Sequence, residues 1–253
     1  MFMKKTVGFA SIAMAVLMAN GGALAASSSE DNAKLYLPSG IDYVYNNTWG
    51  KSTVPNGQQS VYMNSAKDMG WSWSWPSDVN SVKGYPSIVH GWHWTTGYGT
   101  NTGLPVRLSE NKNINTTAAW SFSNATGTYN VSYDIWFHSD NNANWWSTPT
   151  DELMIWMNST NASPAGSYVN TVTIGGIPWD VYKGTVSSWN VYSFVIKSNQ
   201  TSANLNIKNF TDYLVKSTQW MSNTKYISSI EFGTEVYKGS GTFKVSKWSV
   251  NIK

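Results

Sequence analysis

A dozen short runs rich in β-branched and aromatic residues follow one another along this chain, separated by clusters of Gly, Asn, Ser and Pro. In order they are YVYNNTWG, SVYMN, WSWSW, SIVHGWHW, AAWSFS, YNVSYDIWF, ELMIWM, VNTVTIG, IPWDVYK, NVYSFVI, YISSIEFGTEVY and TFKVSKWSVNI. Short strands with turn signals at such close spacing are the pattern of an all-β sandwich or barrel. Leu205 to Ser217 breaks the pattern: Ile207, Phe210, Tyr213 and Leu214 fall on one helical face, which predicts a single amphipathic helix covering part of a sheet. No Pro-rich or Ser/Thr-rich linker interrupts the chain after residue 30 and no repeat is evident, so residues 26–253 are expected to form one domain.

The first 25 residues read differently. A basic start at Lys4 and Lys5, an apolar stretch from Val7 to Met18 and the small-residue site Ala23-Leu24-Ala25 are the parts of a secretory signal peptide. They predict an exported chain beginning near Ala26, extracellular or periplasmic. The apolar part is too short for a spanning anchor, and no later stretch approaches the ~20 apolar residues of a transmembrane helix, so no membrane partner is expected. From Ala26 onward 15 basic residues meet 14 acidic ones, without the basic footprint of a nucleic-acid binder. Cysteine is absent, which removes disulfides and thiolate chemistry. A core alone can hold a chain of this length, here expected to act as a monomer.

The aromatic content is high, with 15 Trp, 14 Tyr and 8 Phe. Trp favours positions with one apolar and one wet face, and sugar rings offer apolar C–H faces to aromatic planes. An exported, weakly charged, Trp-rich chain therefore points to carbohydrate, and a sandwich that uses its aromatics as core explains the same composition. Trp71, Trp73 and Trp75 alternate as W-S-W-S-W and share one face, read as cleft floor or rim with core as the other reading.

No G-x-S-x-G elbow, phosphate loop or H-E-x-x-H occurs. His90 and His93 stand three apart on a predicted strand, point to opposite faces and make a poor chelating pair; with His138 they are the only histidines. No metal and no cofactor is expected, and chemistry falls to carboxylates. Alternation places Glu152, Met154 and Trp156 on one strand face against Leu153, Ile155 and Met157 on the other. It likewise groups Asp134 with Trp136 and His138, and Glu231 with Gly233, Glu235 and Tyr237. Three strands thus each present a carboxylate beside aromatics on one side. Retaining glycoside hydrolysis needs two carboxyl groups roughly 5–5.5 Å apart, one as nucleophile and one as acid then base, and side chains from different strands can meet that distance. Alternation leaves Glu231 and Glu235 equivalent; Gly233 between them is read as room for a substrate near Glu235.

Glu152-Leu153-Met154-Ile155-Trp156 resembles the nucleophile strand of glycoside hydrolase family 12 endoglucanases. Phe232-Gly233-Thr234-Glu235, followed by Tyr237 and Gly239-Ser240-Gly241, resembles their acid/base strand. Asn46-Asn47-Thr48-Trp49-Gly50, Tyr133-Asp134-Ile135, Val191-Tyr192-Ser193-Phe194-Val195 and Lys208-Asn209-Phe210 with Tyr213-Leu214 fit in the same order, so the resemblance spans nearly the whole mature chain. It implies a β-jelly-roll of two curved antiparallel sheets, with a substrate cleft across the concave sheet and one helix on the convex side. It implies an endo-β-1,4-glucanase acting on β-1,4-linked glucan, with Glu152 as nucleophile, Glu235 as general acid/base and Asp134 hydrogen-bonding Glu152. By the same resemblance Asn47 and Trp49 bind glucosyl units on the non-reducing side, and Met154, Trp156 and Tyr237 line the cleft. Tyr237 stands where the family often has Phe or Trp, and the stretches Ser139 to Thr150 and Ser163 to Gly166 match only loosely. Those loops bear on substrate preference, so xyloglucan, mixed-linkage glucan and xylan stay open as substrates. A non-catalytic lectin is the rival of a different class; it would need aromatics and amides but not two facing carboxylates.

Overall fold

The computed structural model describes residues 25–54, 56–76 and 81–253; the stretch read as a signal peptide lies, up to residue 24, outside the described residues. Sixteen strands run in chain order among the described residues. They are β1 (Ala26–Ser28), β2 (Lys34–Tyr36), β3 (Tyr43–Tyr45), β4 (Gln58–Ser65), β5 (Asp68–Trp75), β6 (Ser87–Gly91), β7 (Val106–Arg107) and β8 (Ile114–Ser123). Then follow β9 (Thr128–His138), β10 (Asp151–Thr160), β11 (Ser167–Ile174), β12 (Ile177–Val186), β13 (Trp189–Ile196), β14 (Ser202–Asn206), β15 (Tyr226–Gly233) and β16 (Val236–Ile252).

The strands form two layers. The inner one has the order β2-β3-β6-β15-β9-β10-β13-β12-β11. The outer one runs β1-β4-β5-β16-β8-β14. β16 starts beside β9 at Val236 and continues between β5 and β8, so one long strand ties the layers together. Neighbouring strands are antiparallel with one exception: β10 and β13 run parallel. The chain leaves β10 for the far edge and returns through β11, β12 and β13, so β13 reaches β10 in the same direction.

Between the layers lies the core. Alternation sends Tyr133, Ile135 and Phe137 of β9, Leu153, Ile155 and Met157 of β10, and Tyr192 and Phe194 of β13 into it, all fully buried. Trp71, Trp73 and Trp75 meet them from the outer sheet, also buried. The W-S-W-S-W run is therefore core and not cleft floor or rim, because the Trp face of β5 is the one covered by the inner sheet while Ser74 faces solvent. Trp71 stacks on Phe243 at 4.8 Å and its Nε1–H donates to Thr234 Oγ1 at 2.8 Å. Trp71→Ala is expected to cost about 3–5 kcal/mol of stability by leaving a large cavity. Urea unfolding checks this, and a loss below about 1 kcal/mol would mean that Trp71 is not holding the layers together.

The expected helix is shorter than its sequence period. Leu205 and Asn206 belong to β14, paired with Thr116 and Asn115 of β8, and α1 spans Ile207–Asp212 before a wider turn over Tyr213–Ser217. The Asn206 side chain accepts a hydrogen bond from Lys208 N at 3.2 Å, the capping role this residue type favours. Phe210 packs on Trp179 and Phe194 at 5.2 Å each, on the inner sheet's convex side. No helix among the described residues is long and apolar enough to cross a membrane.

Candidate active site

The concave face of the inner sheet holds a cleft of about 830 Å³. Its walls include Asn47, Trp49, Asp134, Glu152, Met154, Trp156, Glu235 and Tyr237, the positions that the family resemblance assigned to the site, but not Glu231. Register explains the gathering. Glu152 of β10 stands opposite Trp136 of β9 and Val191 of β13, while Met154 stands opposite Asp134 and Ser193. Residues paired this way share a face, so Asp134 and Glu152 lie diagonally across two strands with their side chains on the cleft side.

Glu152 is 8% exposed, and Trp189 Nε1–H donates to its Oε2 at 2.7 Å. Burial raises its pKa from the ordinary carboxyl value to about 7, opposed by hydrogen bonds from Trp189 and Asp134. Burial pushes Asp134 well above the carboxylate range, and the charges of Glu152 and Glu231 add to that push. Of the two carboxyls, Asp134 is the one pushed further toward its protonated form. Glu235 sits at the corner between β15 and β16, half-buried on the cleft. Burial, then the charge of Glu152, raises it to about 8.

That corner is pinned on three sides. Asn130 Nδ2 donates to Glu235 Oε2 at 2.5 Å, and Asn130 Oδ1 accepts from Glu235 N at 2.9 Å. Thr234 N donates to Pro86 O at 3.2 Å, and Trp71 holds the Thr234 hydroxyl from the core. Gly233 is needed for a reason other than substrate access: a Cβ there would come within 2.4 Å of Pro86 O. The glycine admits a neighbouring strand, not a sugar.

Glu231 lies on the cleft side of β15 as alternation requires, yet it is sealed. Ser87 Oγ donates to its Oε2 at 3.0 Å, Ser229 Oγ to its Oε1 at 3.3 Å, and His93 Nδ1 bonds Oε1 at 2.7 Å. Asp151, at the start of β10, is also structural: Thr150 Oγ1, Asn190 Nδ2 and Tyr192 OH donate to its carboxylate, and Lys225 lies 3.4 Å away.

The aromatic positions divide by exposure. Trp49 is 66% exposed at the cleft edge beside Asn47, whose Oδ1 accepts from Trp49 N at 3.3 Å. Trp156 is 1% exposed, its ring packed with Met154 and Val191 under the cleft surface. The loosely matching stretch Ser139 to Thr150 packs Ala143 against Trp92 and Trp136. Sequence reasoning missed Trp189 and Asn130. Trp189 opens the run WNVYSFVI and shares the face of Val191, so alternation alone could have found it. Asn130 could not be found that way, because its partner Glu235 is far along the chain. Among the described residues no group of three or more His, Cys, Asp or Glu is placed to hold a metal ion.

The sequence profile of glycosyl hydrolase family 12 matches residues 41–253. The chain belongs to that family. Endoglucanase S of Pectobacterium parmentieri is 54% identical over 234 residues, covering 90% of this chain and 88% of the relative. A xyloglucan-specific endo-β-1,4-glucanase A of Emericella nidulans is 33% identical over 218 residues, covering 83% of this chain and 84% of that protein. The structure of a native family 12 xyloglucanase from Bacillus licheniformis superposes with a TM-score of 0.88 at 55% identity, covering 90% of this chain and all of the other. The family 12 chain is therefore a glycoside hydrolase with a jelly-roll fold.

Proposed function

We propose that this family 12 endo-β-1,4-glucanase cleaves internal bonds of β-1,4-linked glucans with retention, Glu152 acting as nucleophile and Glu235 as general acid, then base. One observation carries the reading: two carboxyl groups from different strands face one cleft, with donors that favour the ionised form on Glu152 and with the charge of Glu152 raising Glu235. Ionised Glu152 attacks the anomeric carbon while the Glu235 proton passes to the departing glycosidic oxygen. Glu235, now a carboxylate, takes a proton from the water that then displaces Glu152 from the sugar, and both groups return to their starting forms. Asp134, holding its own proton, orients the attacking oxygen of Glu152.

Trp49, Asn47, Met154, Trp156 and Tyr237 supply the glucan-binding walls in this reading, Trp49 by an open ring face and Trp156 by shaping the floor from beneath. NMR of a soluble cello-oligosaccharide during hydrolysis tests the proposal: the β-anomer forms first if the configuration is retained, and first appearance of the α-anomer overturns the double displacement. The relatives divide between a name that says endoglucanase and names that say xyloglucanase, so reducing-end release from carboxymethylcellulose, xyloglucan and xylan assigns the preferred polysaccharide. Residues 1–25 direct export in this reading, and the enzyme works as a monomer outside the cytoplasm.

Trp189→Phe removes the indole donor to Glu152 and leaves an aromatic ring. That donor lowers the Glu152 pKa, so its loss moves the acidic limb of the kcat/KM profile to higher pH. A shift of about 0.5 to 1 unit is expected for one charge-assisted hydrogen bond. An unmoved acidic limb would show that Glu152 does not set it.

A further inference from the structure

The cleft holds a wall that the two-glutamate reading does not use: the loop Trp92-His93-Trp94 that follows β6. His93 and Trp94 both line the cleft, and neither touches the acids that do the chemistry. His93 is 8% exposed, with its ring packed at 4.6 Å on Tyr45 and 5.0 Å from Trp94. Its Nδ1 is bonded to Glu231, the sealed carboxylate that Ser87 and Ser229 also hold. Among the described residues Nε2 has no protein partner, and it is not one of the sealed polar atoms. The carboxylate thus fixes the ring and its tautomer, and the free nitrogen is left for something in the cleft.

Trp94 adds a second, independent observation. Its φ is +44°, in the left-handed region that a bulky side chain rarely adopts. Such strain persists only where the surroundings impose it, and it clusters at ligand-binding positions. Here the surroundings are Trp92 at 4.7 Å and Trp136 at 5.3 Å, which hold the indole on edge and tilted contacts while it remains 40% exposed. A large ring held in a costly backbone conformation and yet left open offers an unoccupied aromatic surface.

We infer that His93 and Trp94 form a glycosyl subsite, in which the Trp94 ring lies against the apolar face of a pyranosyl unit of the glucan and His93 Nε2 hydrogen-bonds one of its hydroxyls. Glu231 is a positioning residue for it, which accounts for a buried acid that catalysis leaves unused. His93 and Trp94 follow β6, three strands from β10 in the order β6-β15-β9-β10, so roughly 14 Å separates the strand that carries the subsite from the nucleophile strand. The unit bound is therefore not the ring under attack.

This rests on the glucanase reading, and the test separates the two. Binding of cellobiose through cellohexaose, and of xyloglucan oligosaccharides, is measured by calorimetry in a Glu152→Gln background, with His93→Ala or Trp94→Ala added. Each addition is expected to weaken the longer chains about threefold to tenfold and to leave cellobiose unchanged. Trp94→Gly supplies a control for folding, because glycine accepts the positive φ; its thermal transition should hold while long-chain affinity falls. His93→Gln, which keeps a hydrogen-bonding group, should recover part of the loss. Equal weakening at every length, or none, overturns the subsite. Hydrolysis of the ligand by the Glu152→Gln background would sink the catalytic assignment and leave the subsite standing, while no binding of any of these glucans by that background overturns both.

Discussion

Glu152→Gln is expected to lower turnover of soluble β-1,4-glucan by about 10⁴-fold or more while raising the melting temperature at alkaline pH. The activity loss follows from the loss of the attacking oxygen; removing a nucleophile that works with its partners as a unit costs about 10⁴ to 10⁶ in kcat. Steady-state hydrolysis checks it, and a variant keeping a tenth of wild-type turnover would reassign the nucleophile. The stability gain has a definite sign. Glu152 is a carboxyl whose pKa rises from 4.5 to about 7 on folding, so between those values the folded state binds more protons than the unfolded chain. Stability then falls as pH rises through that window, and the loss is complete above about 7. A neutral Gln escapes it. With a shift of this size, about 1–3 kcal/mol is at stake, or a few degrees in melting temperature, vanishing below about pH 4.5. Equal melting temperatures at pH 8 and pH 4.5 would contradict the burial of an ionised nucleophile.

Glu235→Gln removes the proton donor and should lower kcat on unactivated glucan by about 10² to 10⁴. An aryl glycoside with a good leaving group needs little protonation, so bond cleavage there should suffer far less. Similar losses on both substrates would place Glu235 outside the acid role. The wild-type profile should fall on its basic side above the usual carboxylate range, since burial and the charge of Glu152 raise Glu235 to about 8. Asn130 donates to the ionised form of Glu235. Asn130→Ala therefore moves that basic limb further up and lowers kcat by loosening the corner.

Much of this site was legible before any coordinates. The strand Asp151–Thr160 carries its own labels: Leu153, Ile155 and Met157 read as core and are core, and Glu152, Met154 and Trp156 read as the other face and lie on the cleft. The same rule misled at Trp71, Trp73 and Trp75, where one shared face was right and its location was not. Alternation tells which residues look the same way but not what they look at. The helix was placed two residues too early because Leu205 fits an apolar helical period as well as it fits a strand, and its pairing with Thr116 of β8 decided the matter.

By itself, the sequence determined an all-β chain, the faces of its strands and the set of carboxylates open to chemistry, because side-chain alternation and turn chemistry are local properties of a few consecutive residues. It could not separate Glu231 from Glu235 without the family resemblance, since both stand on one face of one run. Tertiary structure separates them: Ser87 and His93 seal Glu231, while β15 ends at Gly233 and Asn130 turns Glu235 into the open cleft. Those partners lie about 100 residues or more from the glutamates they govern. Contacts over such separations depend on the register and stacking of whole strands, which no short stretch of sequence encodes.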